Sequence, residues 1–264
     1  EGAAVVVAAR TSGEVEATAR EIRRAGGKAV AVAADVASHE DVQAMVERAV
    51  RECVAVEGLV NDAAIQGPIG PLVDNDPARW VETVMVDLVG PFLCARAVLP
   101  IMIAQRSGKI INVSGGGATT PRPRFTAYAA AKAGVVRLTE CLAEEVREFN
   151  IQVNAIAPGA ANTRMLEEIL SAGEAAGVEA GEASRQSGTG GTPLDLPARL
   201  CVFLASEASG NLTGKLIAAP HDGWEHWDEA RIAELVASHW LTLRRMDQFT
   251  LRPLLDELMT KVGS

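Results

Sequence analysis

The sequence predicts an α/β chain in three α/β/α layers, a parallel β-sheet covered by helices on both faces. Short apolar, β-branched runs alternate with helical patterns from the first residues to about 220, the signature of β-α-β crossovers. The runs are almost continuously apolar rather than alternating, as in strands buried on both sides. Residues able to do chemistry fall just after these runs, and open parallel sheets bind ligands outside the carboxyl ends of their strands.

The candidate strands are Ala3 to Ala9, Lys28 to Ala34, Gly58 to Asn61, Lys109 to Ser114, Ile151 to Ala157 and Lys215 to Ala219. Thr11 and Glu14 have capping-box spacing, Val15, Ala19 and Ile22 form one helical face, and Gly26-Gly27 ends that helix. Ser38 with Asp41 opens the next helix, Asp76-Pro77 opens one running to about Arg106, and Thr126 opens the one after that. Residues 171–192 are rich in Gly, Ala, Glu and Ser without an apolar period. They read either as a mobile loop or lid beside a site or as a plain surface insertion. The chain divides into a main domain over 1–220 and a helical tail over 221–264 that packs on it. Trp224, Trp227 and Trp240 of that tail serve to glue it to the core or to wall a substrate.

Composition excludes several function classes. With 264 residues, 48% apolar residues and a formal charge of -9, the chain can bury a substantial core but offers no basic footprint for nucleic acid. No apolar run approaches the roughly 20 residues of a membrane span. The absence of export signals points to the cytoplasm. Cys53, Cys94, Cys141 and Cys201 lie far apart in helical patterns and read as buried reduced thiols. The four histidines lack metal-ligand spacing, so no metal site is expected.

Tyr128, the chain's only tyrosine, precedes Lys132 by one helical turn, which puts both on one face and brings an ammonium toward a phenol. A nearby cation favours phenolate and lowers the tyrosine pKa from about 10. Such a phenol can give a proton to a carbonyl oxygen as hydride reaches carbon, and take it back in the other direction. The preceding segment is a buried strand ending at Ser114, followed by Gly115-Gly116-Gly117.

Ala34-Asp35-Val36, Asn61 to Ala64, Ser114, Tyr128 with Lys132, and Asn154 to Gly159 with Thr163 occur in order at strand ends. In this the sequence resembles the short-chain dehydrogenase/reductase family over about residues 1–219, which implies a Rossmann-type doubly wound sheet. The resemblance implies that Ser114 hydrogen-bonds the substrate carbonyl, Tyr128 is the acid/base, and Lys132 lowers its pKa and holds the nicotinamide ribose. It also implies that Asp35 and Val36 flank the adenine, Asn61 and Ala63 line the adenosine side, and Pro158, Gly159 and Thr163 contact the nicotinamide end. Arg10 follows the first visible strand, where an acidic residue suits NAD; a guanidinium suits a 2′-phosphate, so NADP(H) is favoured over NAD(H). A small alcohol or carbonyl is the implied substrate, and a homotetramer or homodimer formed through the long helices is the implied assembly.

The sequence departs from the family pattern in four places. No Gly-x-x-x-Gly-x-Gly turn stands before Gly58, so the first strand and its phosphate loop are expected to be missing from this chain. Asp87 falls where the family usually has an Asn that holds a relay water; Asp accepts the same hydrogen bonds but, ionised, cannot donate. Asp62 and Ala64 replace a usual Asn and Gly. The usual serine register falls on Gly115, and a one-residue bulge would let Ser114 serve instead. The competing expectation is a nucleotide-binding or regulatory relative without turnover. A sugar-nucleotide epimerase would need a larger C-terminal domain.

Overall fold

The computed structural model describes residues 1–53, 55–245, 247 and 252. Six strands form in chain order: β1 (Ala4–Ala9), β2 (Lys28–Ala33), β3 (Gly58–Asn61), β4 (Gly108–Val113), β5 (Ile151–Ala157) and β6 (Leu216–Ala218). Among the described residues every pairing between these strands is parallel, in the orders β1-β2 and β3-β4-β5-β6. The strand hydrogen bonding is therefore discontinuous between β1 and β3. One apolar core bridges the break: Ala8, Val32 and Leu59 pack with Val42, Met45, Cys94, Val98, Met102 and Ile110. This is a Rossmann-like parallel α/β arrangement, with helices supplying the other layers.

The connecting helices are α1 (Ser12–Arg24), α2 (His39–Cys53), α3 (Pro77–Val84), α4 (Gly90–Gln105), α5 (Thr126–Glu145), α6 (Arg164–Ala172), α7 (Val178–Thr189), α8 (Asp195–Ala205) and α9 (Glu229–Ala237). Ser38 Oγ accepts from the Asp41 amide, and Asp76 accepts from Ala78 ahead of Pro77, so both helix starts carry the capping their sequences encode. The Thr11–Glu14 capping box does not form. Thr11 makes no side-chain cap, and its backbone carbonyl alone meets Glu14 and Val15.

The single helix expected from Pro77 to about Arg106 is interrupted by a π turn over Met85–Val89. This apolar stretch is long enough for a bilayer by composition, and half of it is buried within the fold. Cys94, Ala95, Val98 and Met102 build the core from it, so here it is a core helix.

Residues 171–189 are almost wholly helical, and only 190–192 run as a loop. They complete α6, a 3-10 turn over Gly173–Ala176 and α7, because Ala176 and Ala183 pack with buried Phe125 and Arg124 donates to the Glu174 and Ala175 carbonyls. Tertiary contacts supply the order that the apolar period lacks. Of the four thiols only Cys94 is buried; Cys53 and Cys201 are partly exposed and Cys141 is exposed, since their helices turn those positions outward. Trp224 is buried and joins Phe203, Leu200, Leu204, Ile217 and Leu235 in a second core, with Trp227 and Trp240 packed against it. The expected tail beyond 245 lies outside the described residues except for 247 and 252.

Candidate active site

Parallel strands bring their carboxyl ends to one edge, and β4 delivers Val113 and Ser114 there beside α5. Tyr128 and Lys132 sit one turn apart on α5, 7% and 2% exposed. Lys132 Nζ donates to the Val113 carbonyl at 2.9 Å and stands 5.5 Å from the Tyr128 ring centroid. A backbone carbonyl at a strand end thus fixes the ammonium.

Asp87 reaches the same centre from the π turn. A Cβ at Gly134 would lie 2.8 Å from Leu88, so glycine lets the turn approach α5 closely. Asp87 is fully buried; Oδ1 accepts from the Ile65 amide at 2.9 Å, and Oδ2 has no hydrogen-bond partner. Burial pushes its carboxyl up to about 6, against the pull of the Lys132 ammonium and the Ile65 bond. π turns inserted in helices are frequent at functional sites.

The expected lowering of the Tyr128 pKa by Lys132 is not found. Burial pushes the phenol up to about 12; Arg122 draws it down, while Asp87, Asp62 and Glu179 push it further up. Burial also lowers the Lys132 ammonium, with Asp87 and Asp62 opposing. In a site this dry, removing a charge from water outweighs the pairing.

The bulge expected at Ser114 does not form. It is buried, and its Oγ donates to the Lys132 carbonyl at 3.2 Å. The residue aimed at the phenol is Gly115, where a Cβ would stand 2.5 Å from the Tyr128 hydroxyl. No bulge brings Ser114 into that register, because its hydroxyl is anchored on α5.

The other expected positions spread along the same edge. Asp35 Oδ1 accepts from the Ala37 amide, which shapes the turn after β2, and the Val36 side chain fills the space that glycine leaves at Gly90. Asn61 Nδ2 donates to Asn112 Oδ1 at 2.8 Å, and Asn112 in turn donates to Thr139, so its side chain ties β3 to β4 and α5. Ala63 is exposed beyond β3. Pro158 and Gly159 follow β5, with Gly159 at φ +88°. Thr163 is exposed at the start of α6 and makes no side-chain cap. Arg10 is exposed beyond β1, 3.9 Å from Glu82. Among the described residues no cluster of three metal ligands occurs.

The family model for short chain dehydrogenase matches residues 1–173. The chain belongs to the short-chain dehydrogenase/reductase family. Among curated members, the cis-4-hydroxycyclohexanecarboxylate dehydrogenase of Sinomonas cyclohexanicum is 37% identical over 218 residues, 82% of this chain and 85% of that protein. Among solved structures, the gluconate 5-dehydrogenase of Burkholderia cenocepacia in complex with NADP and tartrate superposes with a TM-score of 0.72 at 30% identity, covering 82% of this chain and 84% of that one. NAD+-bound xylitol dehydrogenase shares the fold with a TM-score of 0.76 at 23% identity, covering 81% and 87% of the two chains.

Arg122 stands beside the phenol and was not named by sequence reasoning, whereas Gly115 was. The offset between Ser114 and Tyr128 pointed to Gly115. Arg122, in a Pro-Arg-Pro-Arg run between strand and helix, carried no signal.

Proposed function

We propose that this family member interconverts a small alcohol and a carbonyl with a nicotinamide cofactor, with Tyr128 as the acid/base. The observation that carries the reading is a buried tyrosine at the carboxyl edge of the sheet, one turn from a lysine whose ammonium is held by the Val113 carbonyl. The relatives' names support the same chemistry, and the neighbours in complex hold NAD+ or NADP.

The residues fit the nicotinamide half of such a cofactor. Thr163 leaves its hydroxyl out of helix capping, and the unpartnered oxygens of Asp87 and Gln66 ask for a polar neighbour. Lys132, Tyr128, Pro158, Gly159 and Thr163 would hold that half; Asp35, Val36, Asn61 and Ala63 would take the adenosine. Arg10, exposed and only loosely paired with Glu82, would accept a 2′-phosphate, which favours NADP(H). When bound, the cofactor supplies or accepts the hydride.

Tyr128 then gives its hydroxyl proton to the substrate oxygen in reduction and recovers it in oxidation. With its phenol pushed up to about 12, it is protonated at neutral pH, which suits the reductive direction. Asp87 faces Lys132 as a further proton-holding group. Ser114 holds α5 to the end of β4, and nothing in its geometry carries the carbonyl-orienting role. Val81 on α3, Met85 in the π turn and Phe92 on α4 are exposed apolar side chains, which fits pairing of these helices with another subunit. Residues 1–220 would act as one catalytic domain in the cytoplasm, with the segment from 221 packed on it.

A second reading, a nucleotide-binding relative with little turnover, is favoured by Gly115 standing in front of the phenol. A panel of small ketones and alcohols, assayed with both reduced and both oxidised cofactors, separates the two. Turnover that is faster with NADPH than with NADH supports the first. Cofactor binding without turnover of any member supports the second.

A further inference from the structure

Arg122 lies in the connection between β4 and α5, its guanidinium 4.1 Å from the Phe125 ring centroid and 5.1 Å from that of Tyr128. Its Nε and Nη2 donate to the two carboxylate oxygens of Glu179 on α7 at 2.7 and 2.6 Å. The side chains are only 15% and 23% exposed. This two-pronged geometry is how guanidinium recognises a carboxylate, and here the carboxylate is the chain's own.

Two adjacent glycines locate the cation relative to the phenol. A Cβ at Gly115 would stand 2.5 Å from the Tyr128 hydroxyl, and one at Gly116 would stand 3.9 Å from Arg122 Nε. Consecutive α-carbons are about 3.8 Å apart, so phenol and guanidinium both lie beside this glycine run, the guanidinium 5.1 Å from the Tyr128 ring centroid. With the two groups this close, a molecule of a few carbons is long enough to reach both.

We propose that Arg122 is the substrate-recognising residue of this site, binding the carboxylate of a hydroxy or oxo acid, and that Glu179 holds that place until the substrate arrives. The inference rests on the reading of Tyr128 as the reacting group. Exchanging one carboxylate for another keeps a largely buried guanidinium paired, whereas a neutral substrate offers it nothing in return. Arg124 separately binds the Glu174 and Ala175 carbonyls at the turn before α7. The anchoring of that turn therefore does not depend on the Arg122–Glu179 pair.

The test is a calorimetric titration of benzoate, and of benzamide as the neutral control, into the full chain with and without NADPH. Benzoate is expected to bind and benzamide is not. Arg122→Gln should weaken benzoate at least tenfold, and Glu179→Gln should tighten it several-fold by removing the internal competitor. The second variant keeps the test open if the first folds poorly. Equal binding of the two probes, no benzoate binding, or benzoate weakened by Glu179→Gln overturns the proposal. These readouts need no turnover: binding as expected with no hydroxy acid converted would fault the reading of Tyr128 and leave Arg122 standing.

Discussion

Ser114 sends its hydroxyl to the Lys132 carbonyl, while its neighbour Gly115 faces the Tyr128 hydroxyl, so the residue in front of the phenol has no side chain. Ser114→Ala is expected to cost about 1 kcal/mol of stability, one buried hydrogen bond, and to leave turnover nearly intact. Gly115→Ala should depress turnover by pressing on the phenol, and Gly115→Ser should recover part of the loss through a hydrogen bond to it. Denaturant melts and steady-state rates check all three. A stable Ser114→Ala protein without turnover would return the carbonyl-orienting role to Ser114.

Asp87 makes stability depend on pH. Its carboxyl, pushed up from 3.8 to about 6 by burial, binds its proton more tightly in the folded chain than in the unfolded one. Stability from this group is therefore lost as pH rises through that window. A shift of about two pKa units corresponds to roughly 3 kcal/mol. Asp87→Asn should remove most of this dependence, measured as the difference in urea midpoint between the two proteins at pH values on either side of the window. An unchanged difference across the window would show that Asp87 stays ionised or hydrated.

As the proposed acid/base, Tyr128 should set the direction of catalysis with pH. A phenol held near 12 is already protonated at neutral pH, so reduction should be nearly flat there. Oxidation needs the phenolate and should rise by roughly tenfold per pH unit in the alkaline range. Rate profiles in both directions read this out. An oxidation rate that levels off near neutrality would mean the bound state lowers the phenol well below its value in this structure.

Arg10 should set the cofactor preference. Arg10→Ala is expected to weaken NADPH by about tenfold, or about 1.4 kcal/mol, with little change for NADH. Equal losses for both cofactors would make Arg10 a general surface charge.

Strands and crossovers were legible because continuous apolar runs and capping residues are local signals: β3 begins at Gly58 and ends at Asn61 as read, and Asp76-Pro77 opens its helix. The π turn at Asp87 was not legible, since it packs on α5 at the close approach that Gly134 permits, a contact distant in sequence. The order of residues 171–192 came from anchors about fifty residues away, Arg122 and Arg124, which no periodicity reveals. At the site, the spacing of Tyr128 and Lys132 carried the geometry. The balance of burial against charge that sets the phenol's proton affinity became visible only once the chain was folded.

The most direct test of the central claim compares the wild-type chain with Tyr128→Phe, measuring NADPH affinity by calorimetry and single-turnover reduction by nicotinamide absorbance. The account predicts unchanged affinity with turnover reduced about 10²- to 10⁴-fold, the range for losing a positioned proton donor. Turnover preserved in the phenylalanine variant would contradict it.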